Sequence, residues 1–217
     1  MSEHEFEPTP GLPERLPDGE RLLWQGAPAW RALALRALHA RKVAVYFALL
    51  AAWHTYDTMQ GGAAFLAAAR GALWLVVLGS AACGVLALLA WAMARSTLYT
   101  ITTSRVVMRF GVALPIAMNL PFRLVQSAGI VRHRDGTADL SLLLAEGERI
   151  GYLVTWPHVR PWHFFRAQPA FRSIPDGERV AGILAAALQA TDPNSAAALR
   201  AAPAPGRSPQ SSLTAAA

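Results

Sequence analysis

The stretch GALWLVVLGSAACGVLALLAWAMA, from Gly71 to Ala94, decides how the rest of this 217-residue chain can fold. It contains no Asp, Glu, Lys, Arg, His, Asn or Gln, and Arg70 and Arg95 close its two ends. A helix rises about 1.5 Å per residue and a bilayer core is about 30 Å thick, so roughly 20 apolar residues can cross it. A core helix of a soluble protein is the alternative, but such helices rarely stay apolar on all sides. We therefore predict a membrane-spanning helix over residues 71–94.

A second apolar run, shorter than the first, precedes it. Residues 43–53 are apolar, and the segment continues through His54 and Asp57 to a break at Gly61-Gly62. Asp57 then falls close to the far interface, where an acid costs much less than at the midplane. We predict a first spanning helix over residues 42–60, a connector over residues 63–70, and hence a transmembrane hairpin.

Basic residues lie on both outer flanks of this hairpin. Because Lys and Arg accumulate on the cytoplasmic side, we expect a multi-pass inner-membrane protein with both termini in the cytoplasm. The acidic N-terminus lacks the features of a signal peptide. The formal charge of +6 would suit nucleic acid or an anionic membrane, but the cations flank the spans and no nucleic-acid motif is present. An amphipathic helix over residues 30–42 would contact the leaflet surface, unless its basic face is merely solvated; its cations are Arg31, Arg36, Arg41 and Lys42.

The period of the sequence changes after the hairpin. Short β-rich segments occupy residues 98–103, 105–110, 112–118, 129–144 and 149–155, and Asp135-Gly136 gives a strong signal for a hairpin with a type I′ turn. Ser173 is placed to cap a helix whose apolar stripe would cover the strands. About six short strands indicate a small antiparallel barrel or sandwich. The predicted organisation is a flexible tail (1–15), a short strand with the juxtamembrane helix (16–41), the hairpin (42–95), the β domain with its closing helix (96–190) and a disordered tail (191–217).

Several of these segments resemble known families. YTITTSRVVMRFG and LPFRLVQS, after a membrane hairpin, resemble bacterial pleckstrin-homology-like (PH-like) domains. The stretches WRALALRALHARKVAVYFALLAAW and TWPHVRPWHFFRAQPAFRSIPDGERVAGILAAAL resemble the photosynthetic-complex assembly proteins of purple bacteria, and the likeness covers about residues 12–190. The resemblance implies an α+β membrane protein: a two-helix transmembrane hairpin carrying a PH-like antiparallel β-barrel closed by a C-terminal helix. It also implies a role in assembling the reaction centre and its core antenna.

Residues for catalysis or for a cofactor are not apparent. The sequence has no nucleotide-binding, nucleophile-elbow or zinc-protease motif, and its one cysteine, Cys83, excludes a disulfide. We therefore expect a protein that is not an enzyme. His54 could bind bacteriochlorophyll transiently, but its position beside Trp53 favours an ordinary polar residue at the interface, so we expect no cofactor.

Two sets of residues are candidates for contact with partners, which would be reaction-centre or core-antenna subunits. The proline- and aromatic-rich segment 156–165 contains types common in binding hot spots, although it could also pack on the barrel or on lipid; its candidates are Trp156, His158, Arg160, Trp162, Phe164 and Phe165. Small residues recur along the predicted spans and would let helices approach closely in lipid, in this hairpin, in a homodimer or against a partner; they are Ala44, Ala48, Ala52, Ser80 and Gly84. The expected function is a non-enzymatic assembly factor; the alternative is a PH-like lipid-binding or envelope-maintenance protein.

Overall fold

The computed structural model describes residues 16–145, 150–163, 166–191 and 199–201. In this part of the chain, one strand and three helices precede the other strands, and two further helices lie among those strands. The elements in chain order are β1 (Leu22–Gly26), α1 (Trp30–Arg36), α2 (Ala40–Gln60), α3 (Phe65–Ser96), β2 (Leu98–Thr102), β3 (Arg105–Phe110), β4 (Ile116–Pro121), a 3₁₀ turn (Phe122–Leu124), β5 (Val125–Arg132), β6 (Ala138–Leu144), α4 (Tyr152–Thr155), β7 (Ala170–Ile174), α5 (Gly177–Thr191) and β8 (Leu199–Ala201).

The helices α2 and α3 pack against each other along their lengths. They are joined by a turn at Gly61 and Gly62, where the φ of +79° at Gly62 needs a residue without a side chain. The connector is therefore shorter than the sequence predicts, because α3 already begins at Phe65. Among the described residues, α3 is the one helix long and apolar enough to cross a membrane, and little of it is buried inside the protein.

The strands form two antiparallel-based sheets of four strands each within the described residues. One sheet has the order β1-β2-β3-β4, and the other has the order β7-β6-β5-β8, in which only the short β8 pairs in parallel. β1 precedes the helices in sequence but pairs with β2, so the β domain is assembled from both sides of the helical pair. The predicted hairpin between β5 and β6 is present, but its turn is not of type I′, because φ is positive at Gly136 (+78°) and not at Asp135.

A single apolar core lies between the two sheets and α5. Its fully buried members include Tyr99, Met108, Leu140, Phe171 and Leu184. The residues that β2 and β3 contribute to this core come at every second position, as expected of strands; they are Tyr99 and Ile101, and Val106, Met108 and Phe110. Val180, Leu184 and Leu188 bring the apolar stripe of α5 onto this core, which covers the open side of the sheets.

Several predictions about the β domain are wrong. Among the described strands, the two sheets do not close into a barrel. Ser173 does not cap a helix: it lies in β7 with a φ of +50°, and α5 begins at Gly177. Residues 152–155, predicted as strand, form the short helix α4, and the third strand begins at Ile116 because Gly111 to Pro115 form a loop. Residues 199–201 of the predicted disordered tail pair with β5, while the rest of that tail beyond residue 191 and the tail before residue 16 lie outside the described residues.

Candidate functional site

In the contact between α2 and α3, glycines of α3 pack against aromatic rings of α2. A side chain at Gly71 would collide with the imidazole of His54, and one at Gly79 would collide with the ring of Phe47. Further along, Cys83 Sγ lies 3.8 Å from the carbonyl oxygen of Ala40. The Nε2 edge of the His54 ring is therefore used in helix packing, and a pigment magnesium bound at Nε2 would displace this contact.

The predicted small-residue positions lie outside that contact. Ala44, Ala48, Ala52 and Ser80 are exposed, and a side chain added at Gly84 would meet no neighbouring atom. On each helix these residues come about one position after the ones that face the other helix. A step of one residue rotates the side-chain direction by about 100° around the helix axis. Because α2 and α3 are antiparallel, this rotation has opposite senses on the two helices, so both sets of small residues point to the same side of the helical pair. The two stripes thus form one face of small residues that the hairpin itself does not cover.

The four predicted membrane-surface cations occupy different environments. Arg41 and Lys42 are exposed at the start of α2, and the guanidinium of Arg31 lies over the ring of Trp30 at 5.4 Å. Arg36, by contrast, donates hydrogen bonds of 2.6 Å to Asp135 Oδ2 and to Thr137 Oγ1. Arg36 is therefore a correction: it ties α1 to the turn between β5 and β6 rather than pointing to a membrane.

The hydrogen bond between Arg36 and Asp135 changes the pKa of the Asp135 carboxyl group. The hydrogen bond from Arg36 outweighs the opposing effect of burial and, with hydrogen bonds from Thr137, lowers the pKa of Asp135 to about 2. The carboxylate therefore stays charged down to strongly acidic pH and keeps its hold on α1.

A buried chain of hydrogen bonds joins the end of α3 to the β domain. Thr97 Oγ1 donates to the carbonyl of Met93 in the last turn of α3, at 2.7 Å. The same oxygen lies 3.2 Å from His158 Nε2, and His158 Nδ1 lies 2.6 Å from the hydroxyl of Tyr99. The Tyr99 oxygen in turn accepts from the backbone N–H of Arg172 at 3.2 Å.

Donor counting fixes the direction of this chain. Because the hydrogen of Thr97 goes to Met93, Thr97 must accept from His158, which places the imidazole proton on Nε2. Nδ1 is then an acceptor, so the hydroxyl of Tyr99 donates to it. Burial lowers the pKa of His158 to about 3, with the charge of Arg172 acting in the same sense, so the ring stays neutral. Burial raises the pKa of Tyr99, which keeps its proton in place.

Ionisable groups continue this chain from Arg172 toward the surface of the domain. Arg172 Nε and His133 Nε2 lie 3.4 and 3.3 Å from Asp139 Oδ2, and the backbone N–H of Ser173 donates to Asp139 Oδ1 at 2.7 Å. Burial raises the pKa of Asp139, but His133, Arg172 and the Ser173 N–H together hold it below its ordinary value. The sequence missed Thr97, Tyr99, Asp139 and Arg172; the only available signal was an acid and a base inside apolar strands.

The aromatic segment after α4 divides into a buried and an exposed part. His158 is a correction: only 2% of it is exposed, so it is not available to a partner. Trp156 is 43% exposed and Trp162 is 78% exposed, and Arg160 donates a hydrogen bond to Gln168 Oε1 at 3.1 Å. Phe164 and Phe165 lie outside the described residues. The exposed candidates in this part are therefore Trp156 and Trp162, held by the anchored His158 between them.

No group of His, Cys, Asp or Glu in the described ranges could hold a metal ion. In the buried chain, the side chains of Thr97, His158 and Tyr99 are hydrogen-bonded to one another and to the backbone. In the described part of the chain, this arrangement suits a structural connection between a helical pair and a β domain.

Comparison with known proteins defines the class. The sequence matches the bacterial PH domain over residues 42–188, so the chain belongs to the bacterial PH domain family. It is also 40% identical over 193 residues to a Rhodobacter capsulatus protein described as an uncharacterized 23.7 kDa protein in the puhA 5′ region. This similarity covers 88% of the chain and 90% of that protein, and it confirms that the chain resembles a protein family of purple bacteria. No solved structure is significantly similar to the chain.

Proposed function

We propose that this protein is a non-enzymatic, membrane-bound assembly factor for the photosynthetic reaction centre and its core antenna. The observation that carries the proposal is the similarity, over nearly the whole chain, to a protein in the 5′ region of the reaction-centre gene puhA. The exposed apolar surface of α3 supports a site of action at a membrane, because a water-soluble helix would bury such a surface.

In this proposal α2 and α3 both cross the bilayer, and both chain ends lie in the cytoplasm. The contact of α2 with α3 supports the pair, since α2 supplies His54 and Phe47 to a seam that continues along α3. The excess of Lys and Arg on the outer flanks supports the orientation. The chain of bonds through His158 would then hold the β domain at the cytoplasmic end of α3.

Partner subunits would meet two surfaces. The shared face of small residues, which includes Ala48 and Ser80, would take a partner helix in lipid, or a second copy of the chain in a homodimer. Trp162 and Trp156 would contact the cytoplasmic part of a subunit, because exposed tryptophans on a firmly held segment lose little entropy on binding.

Affinity purification of the tagged protein from photosynthetically grown cells tests the proposal. We expect reaction-centre or core-antenna subunits to co-purify, and a deletion strain to assemble less reaction centre without a fall in subunit transcripts. Recovery of lipid without any such subunit, together with normal assembly in the deletion strain, would instead favour a lipid-binding or envelope-maintenance role.

Matched variants separate the two surfaces. Trp162→Ala should reduce co-purification, whereas Leu114→Ala, which removes another exposed apolar side chain of the β domain, should not. On the helices, Ala48→Leu should weaken recovery of partners because it fills the face of small residues. Ala81→Leu makes the same change in size on a different side of α3 and should leave recovery unchanged. Equal effects within either pair would contradict the assigned surface.

A further inference from the structure

The register of α2 against α3 fixes the level of the cations along the helical pair. His54 packs on Gly71, and Ala40 lies opposite Cys83 at the other end of the contact. Because the helices are antiparallel, Arg41 and Lys42 are level with about residue 83 of α3. Both cations are exposed, so they face whatever surrounds the pair at that level.

This level is the middle of the apolar run from Gly71 to Ala94. If the hydrocarbon were centred on that run, Arg41 and Lys42 would lie near the midplane, where a charged side chain is least tolerated. The length and composition of α3 therefore do not by themselves locate the bilayer along it. The positions of Arg41 and Lys42 on α2 limit where the cytoplasmic boundary of the hydrocarbon core can lie.

We propose that the hydrocarbon core is bounded by Arg70 on one side and by Arg41 and Lys42 on the other, and that α3 from Leu88 onward, with α1, lies among anionic lipid headgroups. This inference rests on the proposed crossing by both helices. From Arg70 to the level of residue 83 the helix is about 20 Å long, against a core of about 30 Å. The remaining ~10 Å is covered when the apolar stems of the Arg and Lys side chains reach outward at both ends. The bilayer centre then lies near Val77.

The surface beyond this boundary has the chemistry of a headgroup layer. Leu88 and Trp91 are exposed, and the guanidinium of Arg95 lies over the ring of Trp91 at 5.5 Å. Beside them, Ala34 of α1 and Leu38, two residues after its end, pack on α3. Trp30 and Leu35 of α1 remain exposed, with the guanidinium of Arg31 over the ring of Trp30. Tryptophans paired with arginines favour the layer where an apolar ring meets a phosphate, and the cations favour anionic lipid.

Spin-label depth measurements in nanodiscs test the boundary. Single cysteines replace Val77 and Leu88, both exposed, in a Cys83→Ala background, and collisions with oxygen and with a water-soluble nickel chelate give the depth of each label. We expect Val77 near the centre and Leu88 about 16 Å nearer the cytoplasmic surface. A bilayer centred on residues 71–94 would give the two labels equal depths, and that result would overturn the inference. Access of the nickel chelate to Val77 would refute the proposed crossing itself, so the two failures are distinguishable.

Retention of anionic lipid tests the headgroup contact. Native mass spectrometry of the protein extracted from nanodiscs of mixed phosphatidylglycerol and phosphatidylcholine should show bound phosphatidylglycerol. The double variant Arg31→Gln and Arg95→Gln should lose most of it, whereas Arg123→Gln, an exposed cation on the β domain, should not. Unchanged retention in the double variant would overturn the assignment of α1 and the end of α3 to anionic lipid.

Discussion

The buried hydroxyl of Tyr99 is the link of the hydrogen-bond chain that can be removed most cleanly. Tyr99→Phe keeps the ring, and so keeps its stacking on Phe171, whose centroid is 4.4 Å away at an interplanar angle of 13°. The hydroxyl alone is lost, together with the partner of the Arg172 N–H and the donor to His158 Nδ1. The variant therefore isolates the polar chain from the apolar core around it.

The size of the effect follows from the two groups that are left without partners. Tyr99 is completely buried, so solvent cannot replace the hydroxyl. Each unsatisfied buried group costs about 1–3 kcal/mol, and some relaxation is shared between them, so we expect a loss of about 2–4 kcal/mol in the free energy of unfolding of the β domain. For a domain of this size that corresponds to a fall in Tm of at least about 8 °C.

Two measurements on the detergent-solubilised protein check this expectation. Urea unfolding followed by near-ultraviolet circular dichroism gives the stability change, and hydrogen–deuterium exchange gives the protection of the Arg172 amide in β7. The control is Tyr56→Phe, whose exposed hydroxyl accepts only from the Gln60 amide at 2.9 Å and should cost less than about 0.5 kcal/mol. A loss within that same limit for Tyr99→Phe, with the Arg172 amide still protected, would refute the chain as a stabilising link.

The helix contact, the packing of α5 and the buried imidazole of His158 can each be tested by a further variant. Gly79→Ala should loosen the helical pair, seen as a lower Tm in detergent, because its side chain would collide with Phe47, whereas Gly84→Ala meets no atom and should not. Gly177→Ala should destabilise the β domain in urea by collision with Ala138, while Gly182→Ala should stabilise it by about 0.5–1 kcal/mol through helix propensity; a reversed order would contradict the packing of α5. His158 has a pKa of about 3 when folded and an ordinary value of 6.5, so the unfolded chain binds the proton more readily and stability should fall as pH drops from 6.5 toward 3. That fall should be up to about tenfold in the unfolding constant per pH unit, and His158→Gln should flatten it; an equal slope in both proteins would show that the imidazole is not the titrating group.

The amino-acid sequence determined the features that depend on local pattern. An uncharged run long enough for a membrane gave α3, the period of two gave β2 and β3, and Asp135-Gly136 gave the turn between β5 and β6. These features need no knowledge of distant residues, because length, alternation and turn chemistry are properties of a few consecutive positions. The resemblance to known families likewise depends on segments of consecutive residues.

Tertiary structure alone decided which residues meet. His158 lies in an aromatic segment that favours a binding surface, yet its bonds to Thr97 and Tyr99, some 60 residues away in sequence, bury it. Arg36 belongs to a basic helix, yet its guanidinium donates a hydrogen bond to Asp135. Nothing in the apolar run distinguishes Gly71 from its other glycines, yet the ring of His54 packs against it. In each case the partner is remote in sequence, so no local pattern could identify it, and only the packing of helices and sheets brings the two groups within bonding distance.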